Sequence, residues 1–292
     1  MSSNKGIFIC ALITCSFSCK SPKSNIKTSN GYELFFHEIA QSEKIIPEHK
    51  ILNLKISAFD NNENLVFSSK YQGISNVSSF YYDSAISNSP MKEILYNLYV
   101  GDSVSFNMSS KIFYKSFFGE KFHQLHHNNE RSLKIILKVL SYNNLDTQDF
   151  YLDSLQKLAI NNEKKLLSKE KEFWDNNFLN IFKIKGIYAM KLASKESFNT
   201  DLDSLPDKIG LCYSISDLKG RKIYQSSNNT PEYYESNIEG QLLDGFKILV
   251  NNFQKGDSIH AIIPSTLMFG QEGSFVSKIP AYCPLKIHLR LH

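Results

Sequence analysis

The chain has 292 residues, enough for two domains of ordinary size at about 150 residues per domain. Hydrophobic residues make up 42% and charged residues 21%, as in globular proteins, so wholesale disorder and a collagen-like repeat are excluded. The net charge is +4 and the surplus is spread along the chain. Because a nucleic-acid-binding surface needs clustered Lys and Arg, we expect no nucleic-acid partner.

The first residues have the pattern of an export signal. Lys5 supplies a positive charge, residues 7–14 (IFICALIT) form a short apolar stretch, and small residues follow. The apolar stretch is far shorter than the roughly 20 residues with which a helix crosses a bilayer. We therefore predict a cleaved signal rather than a membrane-spanning helix.

The end of this segment predicts a lipid anchor. The run SFSC at 16–19 resembles the box at which bacterial lipoprotein signals are cut, which leaves a lipidated cysteine. Cys15 is a second candidate, and a plain signal peptide with incidental cysteines is the alternative. Cys19 is preferred because a smaller residue precedes it and polar residues follow. The prediction is a signal peptide over 1–18 and a tether over 19–30, with Cys19 as the lipid attachment site.

Two cysteines, Cys212 and Cys283, remain after the signal is removed. They are too few for a disulfide scaffold, and they lack the paired spacing of a zinc site. An exported chain meets oxidising conditions, so a single disulfide stays open as an alternative, but two buried thiols are favoured.

Beyond the tether the chain contains one pattern twice. With a shift of about 155 residues, GDSV at 101–104 matches GDSI at 256–259, and three further matches keep the same order. One match could arise by chance, but four in order indicate a duplication. We predict two copies of one domain, over 31–145 and 183–292.

Each copy has the apolar pattern of a sheet interrupted by a short helix. Apolar and polar residues alternate over 52–58 and again over 285–291, as in strands with one buried face. Helical stretches are predicted near 91–99 and 242–253. The sequence therefore predicts α+β domains, each an antiparallel sheet wrapped on a short helix.

The segment between the copies differs from both. It lacks Gly and Pro over 146–180, is rich in Lys and Glu, and repeats apolar residues at helical spacing. We predict one or two amphipathic helices as a linker over 146–182. A solvated helix docking on one domain is favoured over a partner-binding coil, and self-association through the linker or the first copy stays open.

The second copy carries a set of short motifs in a fixed order. They are LLDGF at 242–246, GD at 256–257, IP at 263–264, LMFGQEG at 267–273, IP at 279–280 and LKIHL at 285–289. Their order and spacing resemble the C-terminal half of FKBP-type peptidyl-prolyl cis-trans isomerases. The resemblance is close from residue 211 to the end, and the internal repeat extends it to the first copy. It implies two FKBP-like domains, the second of them an isomerase.

The resemblance also implies which residues form the site. Family members use an apolar aromatic cup that grips a proline ring, with no nucleophile, metal or cofactor. The residues implied for catalysis are Tyr213, Tyr224, Leu243 through its backbone N–H, Phe246 as the floor, Phe269 and Ile279. The residues implied to contact substrate are Gln225, Tyr233 or Tyr234, Leu242 and Ile287.

Three positions depart from the family pattern. Gln225 stands where the family has Asp, Phe246 where it has Trp, and Phe269 where it has Tyr. The last change removes a hydroxyl that hydrogen-bonds a bound carbonyl, and one hydrogen bond contributes about 0.5–1.5 kcal/mol net. We therefore expect a reduced rather than an abolished activity.

Two other regions carry no predicted chemistry. The first copy lacks the glycine–aromatic pair at the head of its helix (Met91) and the Tyr-Gly-x-x-Gly loop, so it is predicted to be non-catalytic. The cluster His123, His126 and His127 has helical metal-ligand spacing, but it lies in a predicted surface loop without a fixed surrounding shell. We predict no metal and no cofactor.

The sequence thus predicts a lipoprotein of the bacterial cell envelope, anchored to the inner or outer membrane and facing the periplasm or cell surface. Its second domain would isomerise proline-containing segments of exported proteins. The alternative is a non-catalytic periplasmic chaperone or peptide-binding scaffold that uses a vestigial cup.

Overall fold

A computed structural model describes residues 25–42, 50–82, 86, 88–119, 131–194, 208–227, 230–235 and 238–292. The predicted signal, Cys19 and the cluster from His123 to His127 lie outside the described residues. Among the residues described, no helix is both long and apolar enough to span a membrane.

Two seven-stranded sheets follow one another along the chain. The first contains β1 (Asn25–Lys27), β2 (Glu33–Glu38), β3 (Ile51–Phe59), β4 (Leu65–Ser68), β5 (Ser78–Tyr81), β6 (Ser103–Ser109) and β7 (Ser132–Asn143). The second contains β8 (Ile181–Ile184), β9 (Ile187–Ser194), β10 (Lys208–Asp217), β11 (Lys222–Gln225), β12 (Glu232–Glu235), β13 (Asp257–Ile263) and β14 (Leu285–Leu291). We call residues 25–143 the first domain and residues 181–292 the second domain.

Five α-helices lie beside the sheets within the residues that the structure describes. They are α1 (Ser69–Gln72), α2 (Met91–Tyr96), α3 (Ser110–Phe118), α4 (Leu145–Asn177) and α5 (Asp244–Asn252). A 3-10 turn, Ser265–Leu267, follows β13. The helices α2 and α5 lie at equivalent places in the two domains, where the sequence predicts short helices.

The two sheets have the same strand order. It is β1-β2-β6-β7-β3-β4 in the first domain, with β5 also paired to β3, and β8-β9-β13-β14-β10-β11 in the second, with β12 also paired to β10. All these pairs are antiparallel. The predicted fold class, two antiparallel sheets each wrapped on a short helix, is confirmed.

The predicted alternation of apolar residues places the core between sheet and helix. On β3, Leu52, Leu54 and Ile56 are buried, and on α2 so are Ile94 and Leu95. Residues two apart on a strand share one face, and residues three or four apart on a helix share one side. The second domain repeats this arrangement with β14 and α5.

The Gly-Asp pair that marks the duplication has the same local structure in both domains. Gly101 and Gly256 adopt positive φ angles of 98° and 90°, which favour glycine. The following carboxylates are buried and accept a backbone N–H three residues upstream, from Tyr99 to Asp102 at 2.8 Å and from Gln254 to Asp257 at 3.0 Å. The pair therefore closes the turn that leads from each short helix into β6 or β13.

The linker is one long helix that contacts the first domain through a buried polar network. Helix α4 has 33 residues, about 50 Å at 1.5 Å per residue. The Gln148 amide donates to Asn53 Oδ1 at 3.1 Å and to Ser79 Oγ at 3.0 Å. Both Gln148 and Asn53 are buried, so these bonds satisfy polar groups that water cannot reach.

The same helix also contacts the second domain. The Glu163 carboxylate is buried and accepts the Ser265 N–H at 2.7 Å and the Ser265 hydroxyl at 2.8 Å. Farther along, Glu170 pairs with Lys286 at 2.6 Å. The expectation of a helix docked on one domain is therefore wrong, because polar groups on α4 have partners in both.

The two cysteines of the second domain are not joined by a disulfide. Cys212 is buried in β10, while Cys283 is half-buried in the segment before β14. Burial raises the pKa of the Cys283 thiol to about 11, so it is protonated at neutral pH.

Candidate functional site

A cavity of about 650 Å³ opens on the second domain between the sheet, the start of α5 and the segment that follows β13. Its walls are mostly apolar or aromatic, as is typical of small-molecule and peptide sites. The lining residues are Leu211, Tyr213, Ile215, Ile223, Tyr224, Tyr234, Gln241, Leu242, Leu243, Phe246, Phe269, Val276, Ser277, Lys278 and Ile279. We call this cavity the cup.

Aromatic rings form one continuous wall of the cup. The Tyr213 ring lies edge-on to Phe246, with centroids 5.0 Å apart and planes at 68°. The Tyr213 and Tyr224 rings are 5.3 Å apart and tilted by 35°. Phe246 is only 4% exposed, so it forms the floor, whereas Tyr224 is 41% exposed and stands at the rim.

Helix α5 delivers the floor because its first turn packs tightly on β13. Gly245 is buried, and a Cβ there would lie 2.8 Å from Ile263 Cγ2 and 2.9 Å from Met268 Sδ. Only glycine allows this approach without movement of its neighbours. Leu243 precedes the helix in extended conformation as its N-cap and lines the cup.

The opposite wall is a compact segment between β13 and β14. Gly273 has a positive φ of 65°, and its N–H donates to Phe269 O at 3.0 Å. An antiparallel bridge joins Ser274 to Ile279, and Arg221 Nη2 donates to Lys278 O at 3.0 Å. These bonds hold the part of the segment that faces the cup.

A carboxylate that the sequence did not indicate lies behind the aromatic wall. Glu232 Oε2 accepts the Tyr213 and Tyr234 hydroxyls, each at 2.9 Å, and Glu232 Oε1 accepts the Tyr224 hydroxyl. The Tyr213 and Tyr234 oxygens are 3.2 Å apart. Three of the tyrosines that line the cup are thus bound to one side chain.

Burial and hydrogen bonds together shift the pKa values of this cluster. Burial by itself would raise the pKa of Glu232, but the three tyrosine hydroxyls outweigh it and lower that pKa. The bond to Glu232 is the main cause that raises the pKa of Tyr224, while burial is the main cause for Tyr213 and Tyr234. The cluster is therefore one carboxylate and three neutral phenols at neutral pH.

The structure brings together most of the residues that the resemblance implied. Those that line the cup are Tyr213, Tyr224, Tyr234, Leu242, Leu243, Phe246, Phe269 and Ile279. Of the pair left open by the sequence, Tyr234 lines the cup, while Tyr233 is 59% exposed and packs under the Lys208 ammonium. The catalytic roles themselves stay predictions.

Two implied contact residues lie elsewhere. Gln225 follows Tyr224 on β11, so it points to the other face of the strand, and it is exposed. Ile287 is 1% exposed in the middle of β14 and belongs to the core. Neither side chain lines the cup. Strand alternation directs Gln225 away from it, whereas Ile287 shares a sheet face with its partner Ile215 but lies deeper, in the core.

In the first domain, aromatic rings of helix α3 pack at the position that corresponds to the cup. Helix α3 occupies the place of the segment after β13 and carries Phe113 and Phe117. Phe113 packs on Phe67 with centroids 5.7 Å apart, and Phe117 packs on Phe80 at 4.6 Å. Phe67 is the counterpart of Tyr224 in the repeat. That the first domain is non-catalytic stays a prediction.

Comparison with solved structures finds FKBP-type proteins. A peptidyl-prolyl cis-trans isomerase from Pseudomonas syringae is 19% identical, with a TM-score of 0.38, over 46% of this chain and 92% of that one. The three FKBP domains of wheat FKBP73 are 12% identical, with a TM-score of 0.33, over 90% and 94% of the two chains. FkpA from Escherichia coli is 17% identical, with a TM-score of 0.37, over 50% and 68%. The chain is similar to these FKBP-type proteins, and it has two seven-stranded antiparallel sheets of the same strand order.

A scan against models of known protein families gives no match, and a search of curated proteins gives none either. The chemistry that the second domain can perform follows from the geometry of the cup.

Proposed function

We propose that the second domain is a peptidyl-prolyl cis-trans isomerase that acts on Xaa-Pro segments of exported proteins. The supporting observation is the cup itself, an aromatic and aliphatic cavity of about 650 Å³ with Phe246 as its buried floor. Its volume and lining suit a proline ring with its flanking peptide bonds.

The chemistry of this reaction suits such a cavity. Rotation about the Xaa-Pro bond crosses a barrier of roughly 18–20 kcal/mol, because amide resonance is lost when the bond twists. The twisted amide is less delocalised and less polar along its C–N bond than the planar one, so an apolar cavity that excludes water binds it preferentially. Preferential binding of the twisted state lowers the barrier without a nucleophile.

The backbone at the head of α5 supplies the polar contact in this proposal. Leu243 lines the cup and its main chain is extended at the N-cap, where backbone N–H groups lack helical partners. We assign its N–H to the substrate carbonyl. Phe269 contributes a ring without a hydroxyl, and the missing hydrogen bond, worth about 0.5–1.5 kcal/mol, would cost up to about tenfold in rate.

Exchange NMR on an Xaa-Pro peptide tests the proposal without a coupled protease. With the chain from residue 25 onward, we expect cis–trans exchange cross-peaks to build up faster than in peptide alone. Peptide shifts without faster exchange would contradict the isomerase and favour the second candidate, a peptide-binding scaffold. That candidate is supported by the Phe269 ring, which keeps the cup apolar but lacks a hydroxyl.

We further propose that the protein is held at the bacterial envelope by a lipid on Cys19, which places the cup beside newly exported chains. Lipid chains contribute about 0.8 kcal/mol per buried methylene, so several acyl chains anchor a protein firmly. Cys19→Ala is expected to move the protein from the membrane fraction to the soluble fraction after cell fractionation.

Cys15→Ala is the matched control for the anchor and should leave the protein with the membranes. The opposite pattern would assign the lipid to Cys15, and membrane retention of both variants would refute a cysteine anchor.

A further inference from the structure

The Glu232 carboxylate accepts hydrogen bonds from tyrosines on three different strands of the cup. Tyr213 lies on β10, Tyr224 on β11 and Tyr234 on β12, and all three hydroxyls donate to Glu232. Each tyrosine lines the cup, whereas Glu232 is not among its lining residues. The rings therefore face the cavity while their polar ends meet a group outside its lining.

Strand register makes this convergence inevitable. Glu232 pairs with Leu211, which lies two residues before Tyr213, and Tyr234 lies two residues after Glu232. Residues two apart on a strand point to the same face, so Glu232, Tyr234 and Tyr213 share one face of the sheet. Tyr224 reaches the same point from β11, where it pairs with Ile215.

The first domain offers an internal comparison, because its register is the same. Ser78 pairs with Leu54 as Glu232 pairs with Leu211, so a serine stands in the place of the carboxylate. The counterparts of the three tyrosines are Ile56, Phe67 and Phe80. The first domain, in which rings of α3 pack at the place of the cup, therefore lacks both the carboxylate and the three hydroxyls.

A physical reason links the four groups. A hydroxyl that faces an apolar ligand without a partner loses the hydrogen bonds that water would give it, which weakens binding. An ionised carboxylate accepts about four hydrogen bonds and makes stronger ones than a neutral acceptor. One glutamate can therefore satisfy three phenols at once and keep their oxygens away from the ligand.

We propose that Glu232 is the positioning residue of the cup: it holds the hydroxyls of Tyr213, Tyr224 and Tyr234 at one point, so that the tyrosines present ring faces to the substrate proline. The inference rests on the proposed function of the cup, but its first test needs no peptide.

The first test is a tyrosine titration by ultraviolet absorbance and NMR on the chain from residue 25 onward. The bond to Glu232 is the main cause of the raised pKa of Tyr224, so Glu232→Gln should lower that pKa toward its ordinary value of 10.0. Tyr32 of the first domain, whose pKa is raised by burial alone, is the internal reference and should not move. An unchanged Tyr224 titration would overturn the proposal whether or not the protein is an isomerase.

The second test measures peptide affinity and exchange with variants that carry serine at position 232, as the first domain does at Ser78. Glu232→Ser should weaken binding of an Xaa-Pro peptide by about tenfold, because one or more hydroxyls are left without their partner in the cup. Adding Tyr213→Phe, Tyr224→Phe and Tyr234→Phe to Glu232→Ser removes the stranded hydroxyls and should restore most of the affinity.

The rescue separates positioning from simple structural support. If the fourfold variant folds, as judged by circular dichroism, and stays as weak as Glu232→Ser, Glu232 does not act through the hydroxyls and the proposal fails. If Glu232→Ser binds as tightly as the unaltered chain, the proposal fails as well. When no variant binds peptide but the Tyr224 titration shifts, the proposed function fails while the positioning role stands.

Discussion

Phe246→Ala is expected to abolish accelerated Xaa-Pro exchange, with a loss of about 10- to 100-fold in the catalysed rate. The ring is 4% exposed, forms the floor of the cup and packs edge-on against Tyr213 at 5.0 Å. Burying a side chain of this size contributes about 1.5–3 kcal/mol, and this contact would be lost at the proposed binding site of the twisted amide. The measurement is exchange NMR at a temperature where the variant is folded.

Phe246→Ala will also destabilise the second domain, by about 3–5 kcal/mol for a buried phenylalanine. Leu249→Ala is the matched control, because Leu249 is fully buried on the same helix but does not line the cup. It should cost about 2–5 kcal/mol in unfolding free energy and leave exchange intact. Equal losses of exchange in both folded variants would mean that stability, and not the floor of the cup, controls the activity.

The parts of the fold that the sequence predicted are those with a repeated local pattern. The alternation over 52–58 and 285–291 and the two short helices reflect burial of one face, which adjacent residues encode directly. The motifs around Gly245 and Gly273 were informative for a different reason: steric contacts at both positions admit little besides glycine.

Residues of the cup could be predicted from the sequence only where the residue type and its place in a motif identify them. Phe246 and Phe269 follow from motif order, but the choice between Tyr233 and Tyr234 depends on strand register. Since adjacent residues point to opposite faces, pairing of Tyr234 with Ile209 decides which tyrosine enters the cup. Two consecutive tyrosines in the sequence do not reveal how the strands are paired.

Glu232 and the linker contacts could not be read from the sequence, because they depend on distant groups meeting in space. The carboxylate of Glu232 receives Tyr213, which lies 19 residues away on another strand. Glu163 on α4 looks like one more charged residue of a solvated helix, yet its partner Ser265 is 102 residues away. Composition and helical spacing describe α4 correctly but do not reveal what its buried groups touch.

The second large effect is expected at Gly273 in the wall of the cup. A Cβ there would lie 2.5 Å from Ile279 O and 2.8 Å from Ala281 N, both backbone atoms that cannot rotate away, and φ is 65°. Gly273→Ala should therefore lower the unfolding free energy by about 2–4 kcal/mol, as backbone strain combined with overpacking does. It should also weaken peptide binding, since Ile279 lines the cup. Urea unfolding and NMR titration measure the two effects.

Gly270→Ala is the matched control for Gly273→Ala. Gly270 has a similar φ of 56°, but no heavy atom lies within 4 Å of the position its Cβ would take. This variant carries only the cost of left-handed backbone, about 1 kcal/mol, and should bind peptide normally. Equal unfolding free energies for the two variants would mean that the Ile279 backbone can move away from a Cβ at position 273 without loss of stability. In that case the bridge between Ser274 and Ile279 does not fix this wall of the cup opposite the aromatic wall.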